Sequence, residues 1–66
     1  MIRKIKGYRN MIGKSQREFA RVLGVSEGTY RLKEQGKVEF KKSEMEKIIN
    51  TLREAGISKT VDDIFF

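Results

Sequence analysis

The connection between the second and third predicted helices is the feature that most constrains the fold of this chain. Ser15 and Ser26 are both good helix N-caps, and the apolar stripe of the helix that follows Ser15 ends at Gly24. Only two residues, Gly24 and Val25, therefore separate the end of one helix from the cap of the next. So short a link forces the two helices to cross steeply, and a glycine gives the turn the backbone freedom that it needs.

Hydrophobic periodicity and helix end signals predict an all-α chain of five helices. The predicted helices cover about residues 2–12, 15–23, 26–35, 43–55 and 60–65. Two of them begin with a capping-box pattern, in which a Ser and a Glu three residues later bond each other's backbone; the pairs are Ser15 with Glu18 and Ser43 with Glu46. The side chains that we expect to form the core are Ile5, Tyr8, Ile12, Phe19, Ala20, Leu23, Val25, Tyr30, Met45, Ile48, Ile49, Leu52, Ile57, Val61, Ile64 and Phe65.

The length of the chain leaves room for one core, so we expect residues 1–66 to form a single domain. The absence of Cys and His excludes disulfides and the common zinc sites, and we expect no metal and no cofactor. No apolar run approaches the roughly 18 residues that a membrane span needs, and the basic N-terminus lacks the apolar stretch of a signal peptide. We therefore expect a cytoplasmic protein without membrane contact.

Positive charge is concentrated in the first two thirds of the chain. Residues 1–42 carry twelve Lys and Arg against four Asp and Glu, whereas residues 43–66 carry three against five. A basic surface attracts a polyanion, and nucleic acid is the commonest one. Charge alone leaves open a basic surface that is merely solvated.

An ordered set of residues at fixed spacing extends over nearly the whole chain: Arg9, Gln16, Ala20, Gly24, Val25, Ser26, Glu34, Gly36, Lys37 and Val61–Phe65. This set resembles the XRE/Cro-type helix-turn-helix family of phage repressors and bacterial regulators, with the helix-turn-helix at about residues 16–35. A branch from Gram-positive phages and mobile elements has a similar Tyr-x-x-Lys-Glu-x-Gly-Lys signature, which here comprises Tyr30, Lys33, Glu34, Gly36 and Lys37, followed by Phe40. The chain departs from the wider family at Lys14 and Lys33, where apolar residues are usual, and at Gln35, where Asn is typical.

The resemblance implies a compact five-helix, phage-repressor-like domain that binds a duplex DNA operator and represses transcription. It also implies that Gln16 hydrogen-bonds the DNA backbone and so fixes the register of the third helix, the alternative being a solvated polar residue. In the family, the positions of Arg9 and Glu34 pair across the first and third helices. We therefore expect a structural ion pair that holds the recognition helix against its scaffold.

The third helix, at about residues 27–35, is expected to read base edges with the face opposite Tyr30. Arg31 suits a bidentate contact with guanine, and Glu27 either accepts from a cytosine amino group or only stabilises the helix dipole. Gly28 lets the helix approach the groove closely. Leu32 either touches a thymine methyl group or belongs to the core if the helix is rotated.

Polar and basic residues around this face are expected to contact the DNA backbone. Thr29 offers a hydroxyl to phosphate or a methyl group to thymine, and Ser26 belongs to the same expected interface. The ammonium of Lys33 is expected to reach a phosphate while its aliphatic stem covers the core. The remaining candidates for phosphate contacts are Arg17, Lys37, Lys41 and Lys42.

Other functions find less support in the sequence. We expect no enzyme, because the chain has no His or Cys, no convergent carboxylates and no phosphate-binding Gly loop. The alternative from another class is a small phage or plasmid factor that docks a partner regulator through its acidic C-terminal third. A membrane-surface role for the basic first helix ranks third, because the apolar face of that helix is needed in the core. No small-molecule ligand is expected.

Homodimer formation on DNA is expected through the last third of the chain, which ends in Ile64-Phe65-Phe66. One of the two terminal aromatic side chains can fold inward, and the other is expected to be exposed, with Ile57 adding to its apolar surface. The alternative is that Phe66 only frays. A small contact of this kind would give a weak dimer that assembles mainly on paired half-sites.

Overall fold

A computed structural model of the chain describes residues 4–66, and this range contains five α-helices and no strands. The helices are α1 (Ile5–Met11), α2 (Gln16–Leu23), α3 (Glu27–Glu34), α4 (Lys42–Glu54) and α5 (Val61–Phe65). The all-α, five-helix fold that the sequence predicts is confirmed. The predicted start of the first helix at residue 2 lies outside the described residues.

The tight turn between α2 and α3 forms as the sequence predicts. Gly24 adopts a left-handed conformation with φ 73°, which glycine reaches without steric cost. The predicted capping box of α2 is present: Ser15 Oγ accepts from the Glu18 amide at 3.1 Å, and Glu18 Oε1 accepts from the Ser15 amide at 3.0 Å. Ser26 caps α3 by accepting from the Thr29 amide at 3.1 Å. These bonds satisfy amides that a helix start would otherwise leave unpaired.

The predicted start of the fourth helix is wrong. The helix begins one residue before Ser43, with Lys41 as its N-cap, and the predicted Ser43–Glu46 box does not form. Glu44 instead accepts from the Lys41 amide at 2.8 Å, and only this half of a capping box is possible because a Lys side chain has no acceptor. The same Glu44 oxygen accepts from the buried ammonium of Lys33 at 3.0 Å.

The core lies beneath the α2–α3 pair, on the inner faces of α4 and α5. A row of four aromatic rings crosses it, with ring centroids 6.0 Å apart for Phe19 and Tyr30, 6.3 Å for Tyr30 and Phe40, and 5.0 Å for Phe40 and Phe65, all near edge-to-face. Such pairs stabilise a core beyond the area that they bury. Phe40, which the sequence places only in a connector, is a full member of this core. The buried apolar residues are Ile5, Phe19, Ala20, Leu23, Tyr30, Phe40, Ile48, Ile49, Leu52, Ile64 and Phe65.

The residues at the edge of the core include several that the sequence predicts to be fully inside. Partly buried side chains packed against it are Tyr8, Ile12, Val22, Val25, Met45, Ile57 and Val61. Of the two terminal aromatic side chains, Phe65 is buried and Phe66 is 80% exposed, as expected. None of the helices within residues 4–66 has the length and apolar character needed to cross a membrane.

Candidate nucleic-acid interface

Helix α3 divides into a buried face and an exposed face. Its buried residues are Tyr30, Lys33 and Glu34. The helical repeat puts residues 27, 28, 31, 32 and 35 together on the opposite side. All of these side chains are exposed, so the face that the sequence assigns to base contacts points away from the core. Leu32 belongs to this exposed face rather than to the core.

A buried polar cluster fixes α3 against α1. Arg9 donates from Nε to Glu34 Oε2 at 2.8 Å and from Nη2 to Glu34 Oε1 at 3.1 Å, which makes the bidentate pair that the family resemblance implies. Tyr30 donates its hydroxyl to Glu34 Oε2 at 2.6 Å. Arg9 also donates to the Lys14 carbonyl at 2.8 Å, so the same guanidinium braces the loop before α2.

The electrostatics of this cluster keep its carboxylate ionised. Burial alone would raise the pKa of Glu34, but hydrogen bonds from Arg9, Tyr30 and Gln16 together hold the pKa below its usual range. Burial, reinforced by donation to Glu34, raises the pKa of Tyr30, which therefore stays a hydrogen-bond donor. The hydrogen bond to Glu34 raises the pKa of Arg9. The cluster is thus a charged, fully bonded anchor.

Gln16 connects the buried cluster to the exposed face of α3. Its Nε2 donates to Glu34 Oε1 at 3.1 Å, and its Oε1 accepts a long bond from Arg31 Nε at 3.4 Å. Arg31 also reaches Glu27 Oε2 at 3.3 Å on the same helix face. Gln16 is therefore half-buried and bonded within the protein, a connection that the sequence reasoning missed. Its second amide hydrogen remains available to an acceptor outside the chain.

The structure corrects the expectation for Lys33. Its ammonium lies inside the protein, where it donates to Glu44 Oε1 at 3.0 Å and to the Glu39 carbonyl at 3.1 Å. The side chain is only 6% exposed, so the amine does not point outward to a phosphate. Its aliphatic stem is buried with it, as the sequence predicts. The signal that could have revealed this pair is the acidic residue eleven positions later, at the start of α4.

The basic surface is smaller than the sequence count suggests, because Arg9 and Lys33 are buried in ion pairs. The predicted contact residues Arg17 and Lys37 are both exposed. Within residues 4–42, nine exposed cations face only three exposed acids, so this part of the surface stays strongly positive. The exposed cations are Lys4, Lys6, Lys14, Arg17, Arg21, Arg31, Lys37, Lys41 and Lys42.

The first turn of α3 carries small side chains, and no protein atoms crowd the position of Gly28. The Ser26 hydroxyl donates to Thr29 Oγ1 at 2.9 Å, so these two predicted contact residues are linked to each other. A Cβ atom added at Gly28 would meet nothing within 4 Å, and the φ angle of this glycine is not positive. Neither packing nor backbone conformation within this protein therefore requires a glycine at this position.

Comparisons with known proteins agree with this geometry. No curated protein and no solved structure matches the chain. A family model described as helix-turn-helix matches residues 5–58, which include α1, α2, α3 and α4. The match covers most of the chain and includes α2, the turn at Gly24 and α3. The chain belongs to the XRE-type helix-turn-helix family of DNA-binding regulators.

Proposed function

We propose that this chain is a transcriptional repressor that binds a specific duplex DNA operator and reads the major groove with α3. The observation that carries the proposal is the exposed face of α3, which presents Glu27, Gly28, Arg31 and Leu32 together while its opposite face is anchored by buried ion pairs. The major groove of B-DNA admits one α-helix, and an anchored helix presents its outward side chains in a fixed register.

The proposed base contacts follow from the chemistry of each side chain. Arg31 donates two hydrogen bonds to a guanine, and Glu27 accepts from a cytosine amino group. For this purpose Arg31 exchanges its weak bonds to Glu27 and Gln16 for bonds to the base. Because Gly28 has no side chain, the first turn of α3 can approach the bases closely. Leu32 meets the groove one helical turn later.

The proposed backbone contacts surround this face. Gln16 has a free amide hydrogen at the start of α2, where backbone amides also favour an anion. Ser26 and Thr29 lie at the start of α3, and Arg17 and Lys37 supply exposed charge. Contacts of this class supply affinity and orientation without sequence information.

We further propose that two copies bind paired half-sites through the C-terminal third. Support comes from Phe66, which is 80% exposed, and from Ile57, which is only partly buried in the same third of the chain. Deletion of Phe66 should leave the unfolding midpoint unchanged and abolish cooperative occupancy of paired half-sites in a footprinting titration. Deletion through Phe65, which is buried, should also lower stability. A Phe66 deletion that binds paired sites as cooperatively as the parent would move the dimer surface elsewhere.

The experiment that tests the proposal begins with selection of bound sequences from random duplex DNA, followed by titrations at several salt concentrations. Neutralisation of roughly four to eight phosphates gives a log–log salt slope of about −4 to −7. Lys47→Ala is the matched charge control, because Lys47 is exposed on α4 in the acidic third, and it should leave the slope unchanged. Undetectable binding of both selected and random duplexes at low salt would exclude the proposal and favour a partner-docking role.

A further inference from the structure

The buried carboxylate of Glu34 accepts hydrogen bonds from three different residues. Its Oε1 accepts from Arg9 Nη2 and from Gln16 Nε2, both at 3.1 Å. Its Oε2 accepts from Arg9 Nε at 2.8 Å and from the Tyr30 hydroxyl at 2.6 Å. An ionised carboxylate has about four acceptor sites, so these four bonds occupy it fully. Arg9 and Tyr30 are buried, whereas the half-buried Gln16 carries the connection to the surface.

The bond to Glu34 fixes which end of the Gln16 amide faces the protein. An ionised carboxylate only accepts hydrogen bonds, so the NH2 group of Gln16 must face Glu34 and its carbonyl oxygen must face away. This oxygen lies 3.4 Å from Arg31 Nε, on the exposed side. Glu34 uses one amide hydrogen, and the second remains available to an acceptor outside the chain. If the amide turned over, its carbonyl oxygen would face an outside anion and repel it.

We propose that Glu34 is a positioning residue for DNA binding, which orients the Gln16 amide so that its second hydrogen donates to a backbone phosphate. This inference rests on the proposed function and extends it to a side chain that touches no DNA itself. Glu34 is only 5% exposed, so it acts through Gln16. A glutamine at position 34 is nearly the same size, but it presents either an oxygen or an NH2 group and so no longer dictates the orientation.

The test measures binding to a selected duplex in which single phosphates are replaced by methylphosphonate, one position at a time. This replacement removes the charge and one oxygen of the phosphate and leaves the bases unchanged. The position that Gln16 contacts is the one whose effect disappears in Gln16→Met, a variant that keeps the length of the side chain and removes its amide. At this position the parent should lose affinity by a factor of about 10 to 150, the value of one hydrogen bond to a charged group.

Two variants separate the positioning role from a purely structural one. In Glu34→Gln, the effect at the Gln16 position should disappear as it does in Gln16→Met, while the effects at the other phosphates persist. Tyr30→Phe is the matched control, because it removes a bond to the same carboxylate from the core side and leaves the Gln16 bond in place. It should lower the unfolding midpoint and keep the full effect. Each effect is a ratio of two affinities of one protein, so a change in stability cancels.

A second measurement uses the parent protein alone and so does not depend on the folding of Glu34→Gln. Nuclear magnetic resonance resolves the side-chain amide protons of Gln16 and Gln35, the two glutamines of the chain. Gln35 is exposed and serves as the internal reference. The Gln16 proton that bonds Glu34 should exchange with water more slowly than either proton of Gln35. Equal exchange rates would overturn the inference.

Three binding results would also overturn it while leaving the proposed function intact. One is a Glu34→Gln variant that keeps the full effect at the Gln16 position. Another is a Tyr30→Phe variant that loses this effect, because the effect would then follow the stability of the buried cluster. The third is a Gln16→Met variant that retains the effect at every position, which would show that Gln16 contacts no phosphate. Failure of the proposed function looks different, because no duplex would then be selected at all.

Discussion

Substitution of Gly28 by Ala should stabilise the free protein and weaken DNA binding. In the free protein, an added Cβ at Gly28 meets nothing within 4 Å, and the backbone has no positive φ to strain it. Replacing Gly by Ala in a helix stabilises by up to about 1 kcal/mol. For a domain of this size, we expect the unfolding midpoint to rise by about 3–7 °C.

The effect on DNA binding should have the opposite sign, because a methyl group inserted into a close-packed contact costs about 1–3 kcal/mol. Affinity for the selected duplex should therefore fall by a factor of about 5 to 150. Gly7→Ala is the matched control: Gly7 also lies in a first helical turn, in α1, and an added Cβ there also meets nothing within 4 Å. It should raise the midpoint without changing affinity.

The assays are thermal unfolding by circular dichroism and fluorescence anisotropy with the selected duplex at one salt concentration. If Gly28→Ala binds the duplex as tightly as Gly7→Ala does, the first turn of α3 does not approach DNA closely. A fall in both stability and affinity for Gly28→Ala would instead mean that the added methyl group disturbs the fold.

Three further predictions concern the exposed face of α3 and the buried ion pair of Arg9 and Glu34. Arg31→Ala should cost about 1–3 kcal/mol and relax preference at one or two base pairs, whereas Lys37→Ala should weaken all duplexes alike and make the salt slope shallower by about one unit; identical profiles across a panel of sites would contradict the assigned orientation of α3. In a double-mutant cycle of Arg9→Ala and Glu34→Ala, the coupling in unfolding free energy should be about 0.5–3 kcal/mol, and strictly additive losses would show that the pair contributes no coupling. Because the folded pKa of Glu34 lies below its ordinary 4.5, its contribution to stability is present above pH 4.5 and is lost as the pH falls through the folded value. Denaturant titrations of the parent should therefore show a steeper loss in this acid range than those of Glu34→Gln.

Local signals explain why the sequence predicts most of the fold. The α2 box at Ser15, the α3 cap at Ser26 and the turn at Gly24 depend on residues within three or four positions of one another. Because these signals involve only neighbouring residues, they can be recognised in the sequence without knowledge of the tertiary structure. The outward face of α3 follows equally from helical periodicity once Tyr30 is taken as buried.

The sequence predictions fail for side chains whose partners are distant in the sequence. The ammonium of Lys33 points inward to Glu44 on α4, 3.0 Å away, and α4 begins at Lys42 rather than after a cap at Ser43. Similarly, Gln16 bonds Glu34 across eighteen positions of sequence. Spacing along one helix does not reveal such pairs, because the two partners lie on different helices.

Two buried ion pairs on the inward side of α3 fix the direction in which its outward side chains point. Its adjacent residues Lys33 and Glu34 are held by partners on different helices, Glu44 on α4 and Arg9 on α1. Rotation of α3 about its axis would leave both charges buried without partners, and breaking one such pair costs about 3–5 kcal/mol. The helix therefore resists rotation about its axis. Its outward residues can be exchanged without altering the direction in which they point. Under the proposed function, substitutions at residues 27, 28, 31 and 32 would change the operator preference while the fold stays the same.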